Sequence, residues 1–324
     1  MKFCNLLIYK IILYSVLNSI MSDEEIELYK GQYYSNPVTQ TKTKAIVFDL
    51  DETIGQFSNL RELSSTIEDV LQRPLKQMEF DELLNLYPEF LRPGILTILE
   101  FLNYKKRQGS LHKVYLYTNN QCGKAWVDQI AAYINMKIGA TKTLFDDIIY
   151  AFKIKNQIVD MRRTTNNKTH EDLIKCTMMK DNTTEICFID DKKYTRMYGE
   201  RVYYIRPRPY IHPLSKHEII ARLMENVPVS IAPFGKDLVN KALHNALHNA
   251  LHNALHACCR NFQTDGKRNL ASDIEITKKI MYYVREYLYF YKTGTTHAAT
   301  QTQKNRKSHA RKTLKKFSKS YQKT

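Results

Sequence analysis

The chain is predicted to be an α/β protein, with a central parallel sheet covered by helices. Short apolar runs rich in β-branched and aromatic residues recur between residues 44 and 206. They are continuous rather than alternating, as in strands buried on both faces, and stretches of helical periodicity separate them. With 324 residues, 43% of them hydrophobic, the chain is long enough to bury one sizeable core and a small second unit, which excludes a wholly disordered protein.

The first run is "KAIVFD" (44–49) and the second is "KVYLYT" (113–118). Between them "RPGILTILEFLNYKKRQG" reads as a helix, with Pro93 near its start, Ile95, Ile98, Leu99 and Leu102 on one face, and Gly109 beyond its end. "QCGKAWVDQIAAYINM" gives a crossover helix before "DIIY" (147–150), and "NKTHEDLIKCTMMK" gives another before "EICFID" (185–190). "RVYYIR" (201–206) is the last run, and "SKHEIIARLMENV" then opens a helix with Ser215 and Glu218 in capping-box spacing.

Beyond about residue 230 the character changes. "ALHNALHNALHNALHA" (242–257) is a tandem repeat of four residues, placing leucines and histidines each at i, i+4. The histidines could bind a metal, but a helical, amphipathic repeat expansion is the simpler reading, because a four-residue period drifts around a 3.6-residue helix. "SDIEITKKIMYYVREYLYFYK" (272–292) reads as a helix that either packs back on the main domain or binds a partner. The expected division is a hydrophobic leader (1–20), an N-terminal segment (21–43), a catalytic-size domain (44–230), the repeat (242–257), a helical segment (258–292) and a basic, disordered tail (293–324).

The formal charge of +16 belongs mostly to that end of the chain. Residues 260–324 hold 16 Lys/Arg against 4 Asp/Glu, a net +12 that leaves +4 for the other 259 residues. A basic tail speaks to partners, nucleic acid or an anionic surface, rather than to catalysis. Cys4, Cys122, Cys176, Cys187, Cys258 and Cys259 form no CxxC pair and have no matching histidine spacing, so neither a disulfide framework nor a zinc site is expected. The leader "MKFCNLLIYKIILYSVLNSI" is interrupted by Lys10, and Met21 opens the polar "MSDEEIELYK", the favoured functional start. The expected location is cytoplasmic or nuclear, or membrane-anchored if the first 20 residues are retained.

Chemistry begins at "FDLDET". In open α/β folds ligands sit at the carboxyl edge of the sheet, which puts Asp49 and Asp51 at the mouth of a site. Two carboxylates so close repel, and Mg²⁺ between them relieves the repulsion. Asp49 can then attack phosphorus as a nucleophile, Asp51 can give and take the proton, and Thr53 can fix the loop. A DxD alone is weak evidence, but matching parts follow on later elements. Thr118 ends a strand, where its hydroxyl and the following backbone N–H groups could hold phosphate oxygens. Lys168 opens a helix where its charge can offset the phosphate, with Lys175 the alternative lysine, nearer in sequence to Asp190. Asp190 and Asp191 end another strand and would complete the Mg²⁺ shell with Asp49 and Asp51.

This ordered set resembles the haloacid dehalogenase superfamily of phosphotransferases. "DLDET" and "LRPGILTILEFL" resemble its FCP/SCP branch, the phosphatases of the C-terminal domain of RNA polymerase II, over roughly residues 44–210. The resemblance implies a Rossmann-like domain with a small cap or none, Mg²⁺, an aspartyl-phosphate at Asp49, and a phosphoprotein partner such as the polymerase tail. "DETIGQF" departs from the family's usual apolar residue, Val or Ile, and His after the first motif; divergent members in large DNA viruses look like this, which points to a viral or protist source. The leading expectation is a phosphoserine/phosphothreonine phosphatase. A phosphatase for nucleic-acid ends or nucleotides is the alternative. A non-catalytic, membrane-anchored binding module, as in the mitochondrial translocase subunits that resemble this branch, is the second.

Overall fold

The computed structural model describes residues 25–35, 43–226, 249, 253 and 270–289. The leader, the tail and, apart from Asn249 and Asn253, the ALHN repeat lie outside the described residues.

The main sheet contains β1 (Ile26–Lys30), β2 (Thr43–Phe48), β3 (Lys113–Tyr117) and β4 (Asp147–Ile149), while β5 (Lys153–Ile154) and β6 (Gln157–Ile158) form a separate hairpin. It is completed by β7 (Thr184–Ile189) and β8 (Val202–Pro207), in the order β1-β8-β7-β2-β3-β4. The pairs β2–β3, β2–β7, β3–β4 and β7–β8 are parallel, and β1 runs antiparallel along the edge of β8. Each of the five apolar runs is therefore a strand. All six residues of β7 are buried, which is why that run does not alternate. β1 was not read from the sequence: "IELYK" is short, mixed in polarity and only partly buried, as an antiparallel edge strand can be.

Among the described residues, the α-helices with defined bounds are α1 (Ser58–Leu71), α2 (Gln77–Leu86), α3 (Ile95–Arg107), α4 (Lys124–Lys137), α5 (His170–Thr177), α6 (Lys216–Glu225) and α7 (Leu270–Leu288). The last five occupy the stretches expected to be helical. The reciprocal Ser215–Glu218 capping box is formed, and Gly109 takes φ +68° after α3. α1 and α2 were not anticipated; α1 buries Leu60, Leu63 and Ile67 at helical spacing, but Ser64, Ser65 and Thr66 weaken its propensity. Both gather on Trp126 of α4: Phe80 meets its ring edge-on at 5.4 Å, and Arg61 lies over it at 5.2 Å.

Alternation along the strands sends Tyr204 to one face of the sheet and Tyr203 to the other. On the first, Ala45, Val47, Tyr117, Phe188 and Tyr204 share a core with Leu173 and Cys176 of α5. On the second, Tyr203 packs against Tyr34 and against Tyr287 of α7, with centroids 5.4 and 5.9 Å away. The Tyr287 hydroxyl lies 2.9 Å from the Ala45 carbonyl and 2.7 Å from that of Glu185, and Lys44 donates to the Tyr287 carbonyl at 2.8 Å. At the helix's other end Asp273 accepts from Arg208 at 3.1 Å. The C-terminal helix thus packs back on the domain, and the domain does not end near residue 230. Among the described residues, no helix is long and apolar enough to cross a membrane.

His212, in the loop after β8, is buried against Phe90, with its Nδ1 accepting the Leu214 N–H at 3.2 Å and its Nε2 3.1 Å from the Asn59 amide. Burial pushes its pKa down from 6.5 to about 4. The unfolded chain therefore takes a proton between those values that the fold refuses, so the stability contributed by neutral His212 is present above pH 6.5 and is lost as pH falls toward 4. The loss is on the order of 3 kcal/mol at the acid end. Thermal melts from pH 7 to 5 should show a smaller fall in Tm for His212→Gln than for wild type; parallel curves would disprove the assignment.

Candidate active site

The parallel strands reverse their order of growth between β2 and β7: the chain moves from β2 outward to β3 and β4, then returns to the other side of β2. In open α/β sheets the crevice beyond the carboxyl ends at such a point is where ligands bind. Asp49 follows β2 and Asp190 and Asp191 follow β7, so the ends of adjacent strands deliver three acids to this crevice. The Asp49 N–H donates to the Ile189 carbonyl at 2.9 Å, and the Asp190 N–H to the Ile205 carbonyl at 3.2 Å, extending the ladder into the site.

Asp49, Asp190 and Asp191 are all buried, and one carboxylate oxygen from each lies within 4.8 Å of the others. The Lys168 ammonium bridges two of them, donating to Asp49 Oδ1 and, at 2.6 Å, to Asp190 Oδ2. Lys168 immediately precedes Thr169, the N-cap of α5, whose hydroxyl accepts the Asp172 N–H at 3.1 Å. Lys175, on α5 itself, is exposed, so the lysine in the site is Lys168. Thr53 and Asp191 bond reciprocally: the Thr53 hydroxyl donates to Asp191 Oδ1 at 2.9 Å and accepts the Asp191 N–H at 3.0 Å.

Asp51 stands apart from the group of three. Its Oδ2 accepts the Asn120 side-chain amide at 2.9 Å, and Asn120 was not singled out from the sequence. Burial, then the charge of Asp49, raises Asp51 to about 6. Thr118 is fully buried at the end of β3, and its hydroxyl accepts the Asn120 N–H at 3.0 Å. The backbone N–H groups expected to be open after Thr118 are partly spent within the loop, since Cys122 N–H donates to Asn120 Oδ1 at 2.8 Å.

Two buried arginines, also missed, hold this framework. Arg92 donates to the carbonyls of Thr53 at 2.8 Å, Glu52 at 2.7 Å and Arg208 at 2.9 Å. It thereby fixes the turn after Asp51, where Glu52 takes φ 58°. Arg163 is buried on the Thr118 side. A sequence offers no signal separating such arginines from surface ones, because charged residues are normally exposed.

The stretch "IGQF" (54–57) is held by its local packing. A Cβ on Gly55 would lie 2.4 Å from the Phe90 carbonyl oxygen and 2.7 Å from the Phe57 ring, and Gln56 Oε1 accepts the His212 N–H at 3.0 Å. Gly55→Ala should therefore cost about 1–3 kcal/mol of stability, read as a lower urea midpoint at unchanged m. An unchanged midpoint would contradict this packing.

The charge balance bears on a metal. Burial first, then Asp49, raises Asp191; burial raises Asp190 against the pull of Lys168. For Lys168 burial is the largest influence and opposes its charge, but Asp190 and Asp49 outweigh it and hold the ammonium protonated. One cation is thus set among three buried acids. Asp191 Oδ2 is buried without a hydrogen-bond partner. An orphaned carboxylate oxygen beside two further carboxylates fits a metal ion, and an all-oxygen donor set favours a hard one. Neither a scan against protein-family models nor a search of curated proteins finds a match to the chain.

Proposed function

We propose that the chain is a Mg²⁺-dependent phosphatase that hydrolyses phosphomonoesters through an aspartyl-phosphate on Asp49. The observation that carries this reading is the Asp49–Lys168–Asp190 bridge at the strand switch point, with the unpartnered Asp191 oxygen beside it. Asp49, Asp190 and Asp191 would hold the ion, which when bound supplies charge neutralisation for the incoming phosphate. Lys168 offsets further charge and orients Asp49 through Oδ1.

The second oxygen of Asp49 attacks phosphorus, and the phosphorus–oxygen bond to the alcohol breaks. Asp51 protonates the departing oxygen. Water then attacks the phosphorus of the acyl phosphate, Asp51 takes its proton, and inorganic phosphate leaves with Asp49 restored. Two features suit Asp51 to this work: it stands outside the group of three acids, and its pKa of about 6 lies near neutral pH.

Phosphoserine or phosphothreonine in a protein is the proposed substrate, on the sequence resemblance to the FCP/SCP phosphatases. Purified protein should release phosphate from p-nitrophenyl phosphate with Mg²⁺ and stop in EDTA. A panel of phosphopeptides and 5′-phosphorylated oligonucleotides should favour the peptides in kcat/KM. Preference for oligonucleotides would move the substrate to nucleic-acid ends, and activity undiminished in EDTA would refute the metal dependence.

A further inference from the structure

Lys168 lies at the end of an irregular stretch, residues 159–169, so something other than a helix or sheet ladder must place its ammonium. Arg163 does not touch the carboxylates. Its Nη1 lies 3.2 Å from the Thr118 carbonyl, 2.8 Å from Asn119 Oδ1 and 2.9 Å from the Tyr150 carbonyl. Its Nη2 lies 3.1 Å from the Asn166 carbonyl and 3.2 Å from that of Asn167, the two peptides leading into Lys168. The guanidinium stacks on the Tyr117 ring at 4.8 Å, and the Tyr117 hydroxyl accepts the Thr169 N–H at 3.2 Å. The backbone is therefore gripped on both sides of Lys168, and the same guanidinium is bonded to Thr118.

We infer that Arg163 is the positioning residue of this site: a buried fork that sets Lys168 against Thr118 and so fixes both groups assigned to the phosphate. The kinetic part of the inference rests on the proposed function. The physical basis is the planar guanidinium, which presents several donors in fixed directions; an ammonium is a point charge and cannot span three chain segments. Arg163 is only 2% exposed, so water does not compete for these carbonyls.

Two measurements on Arg163→Met and Arg163→Lys test this, and the lysine variant keeps the charge and much of the volume. Amide exchange should accelerate about 100-fold in residues 118–120 and 164–169 and stay unchanged in β7 and α7. Uniform acceleration, or none, overturns the clamp. With p-nitrophenyl phosphate and Mg²⁺, either variant should lose about 30-fold in kcat/KM. The same substitution in a Lys168→Met background should cost less than about ten-fold, because the share of the loss that acts through that lysine is already gone and only the share through Thr118 remains. Losses that multiply in the double variant, or full activity in Arg163→Lys, overturn the inference, as does failure of both single variants to fold. If the wild type turns over no phosphate ester, the proposed function fails while the exchange measurement still decides the clamp.

Discussion

Asp49→Asn is expected to lower kcat for p-nitrophenyl phosphate on the order of 10⁴-fold while leaving the protein folded. The side chain keeps its size, and its amide oxygen can still accept from Lys168. What disappears is the nucleophile, since an amide oxygen cannot form a stable link to phosphorus and regenerate by hydrolysis. The substitution also removes one negative charge from a crowded acid group, so Tm in EDTA should be equal to or above that of wild type. Stability retained with activity lost separates a catalytic role from a structural one. Normal turnover in this variant would end the aspartyl-phosphate mechanism.

The second large effect is on stability. Lys168→Met leaves Asp49 and Asp190 facing each other in a buried site with no cation between them. Removing one partner from a buried ion pair costs about 3–5 kcal/mol, because the remaining charge has lost its solvent and its partner together. A domain of this size should then melt about 10 °C lower in EDTA. Mg²⁺ should recover more of that loss than it adds to the wild type, since a bound dication replaces the missing charge and binds only the folded state. Melting in EDTA and in millimolar Mg²⁺ measures both. Equal melting temperatures for variant and wild type in EDTA would mean that Lys168 does not neutralise the acids.

The parts legible in the sequence were those whose residue type and environment agree. Continuous apolar runs marked the five parallel strands because a strand covered on both faces has no polar side to show. Asp49, Asp190 and Asp191 were legible only jointly, because they end separate apolar runs that a parallel sheet sets side by side. The choice between Lys168 and Lys175 was decided by α5, which begins just after the first and turns the second to solvent. Arg92, Arg163 and Asn120 were missed because their work is done on backbone carbonyls and on Asp51, through side-chain bonds of which most reach partners distant in sequence and none follows a local pattern. Asp51 was read as a metal ligand as well as an acid, but the carboxylate oxygens that lie within 4.8 Å of one another belong to Asp49, Asp190 and Asp191, while Asp51 accepts from Asn120.

The Tyr287 hydroxyl rests on carbonyls near the starts of β2 and β7, across 242 and 102 residues of chain. Closing such loops is slow relative to local helix formation, so this contact carries a kinetic cost during folding. On a ribosome the sheet is synthesised long before α7. Until α7 emerges, Tyr34, Cys187 and Tyr203 present an aromatic and apolar surface to water. A nascent or prematurely terminated chain thus carries a ready surface for aggregation and for chaperone capture, and α7 is what releases the domain from both.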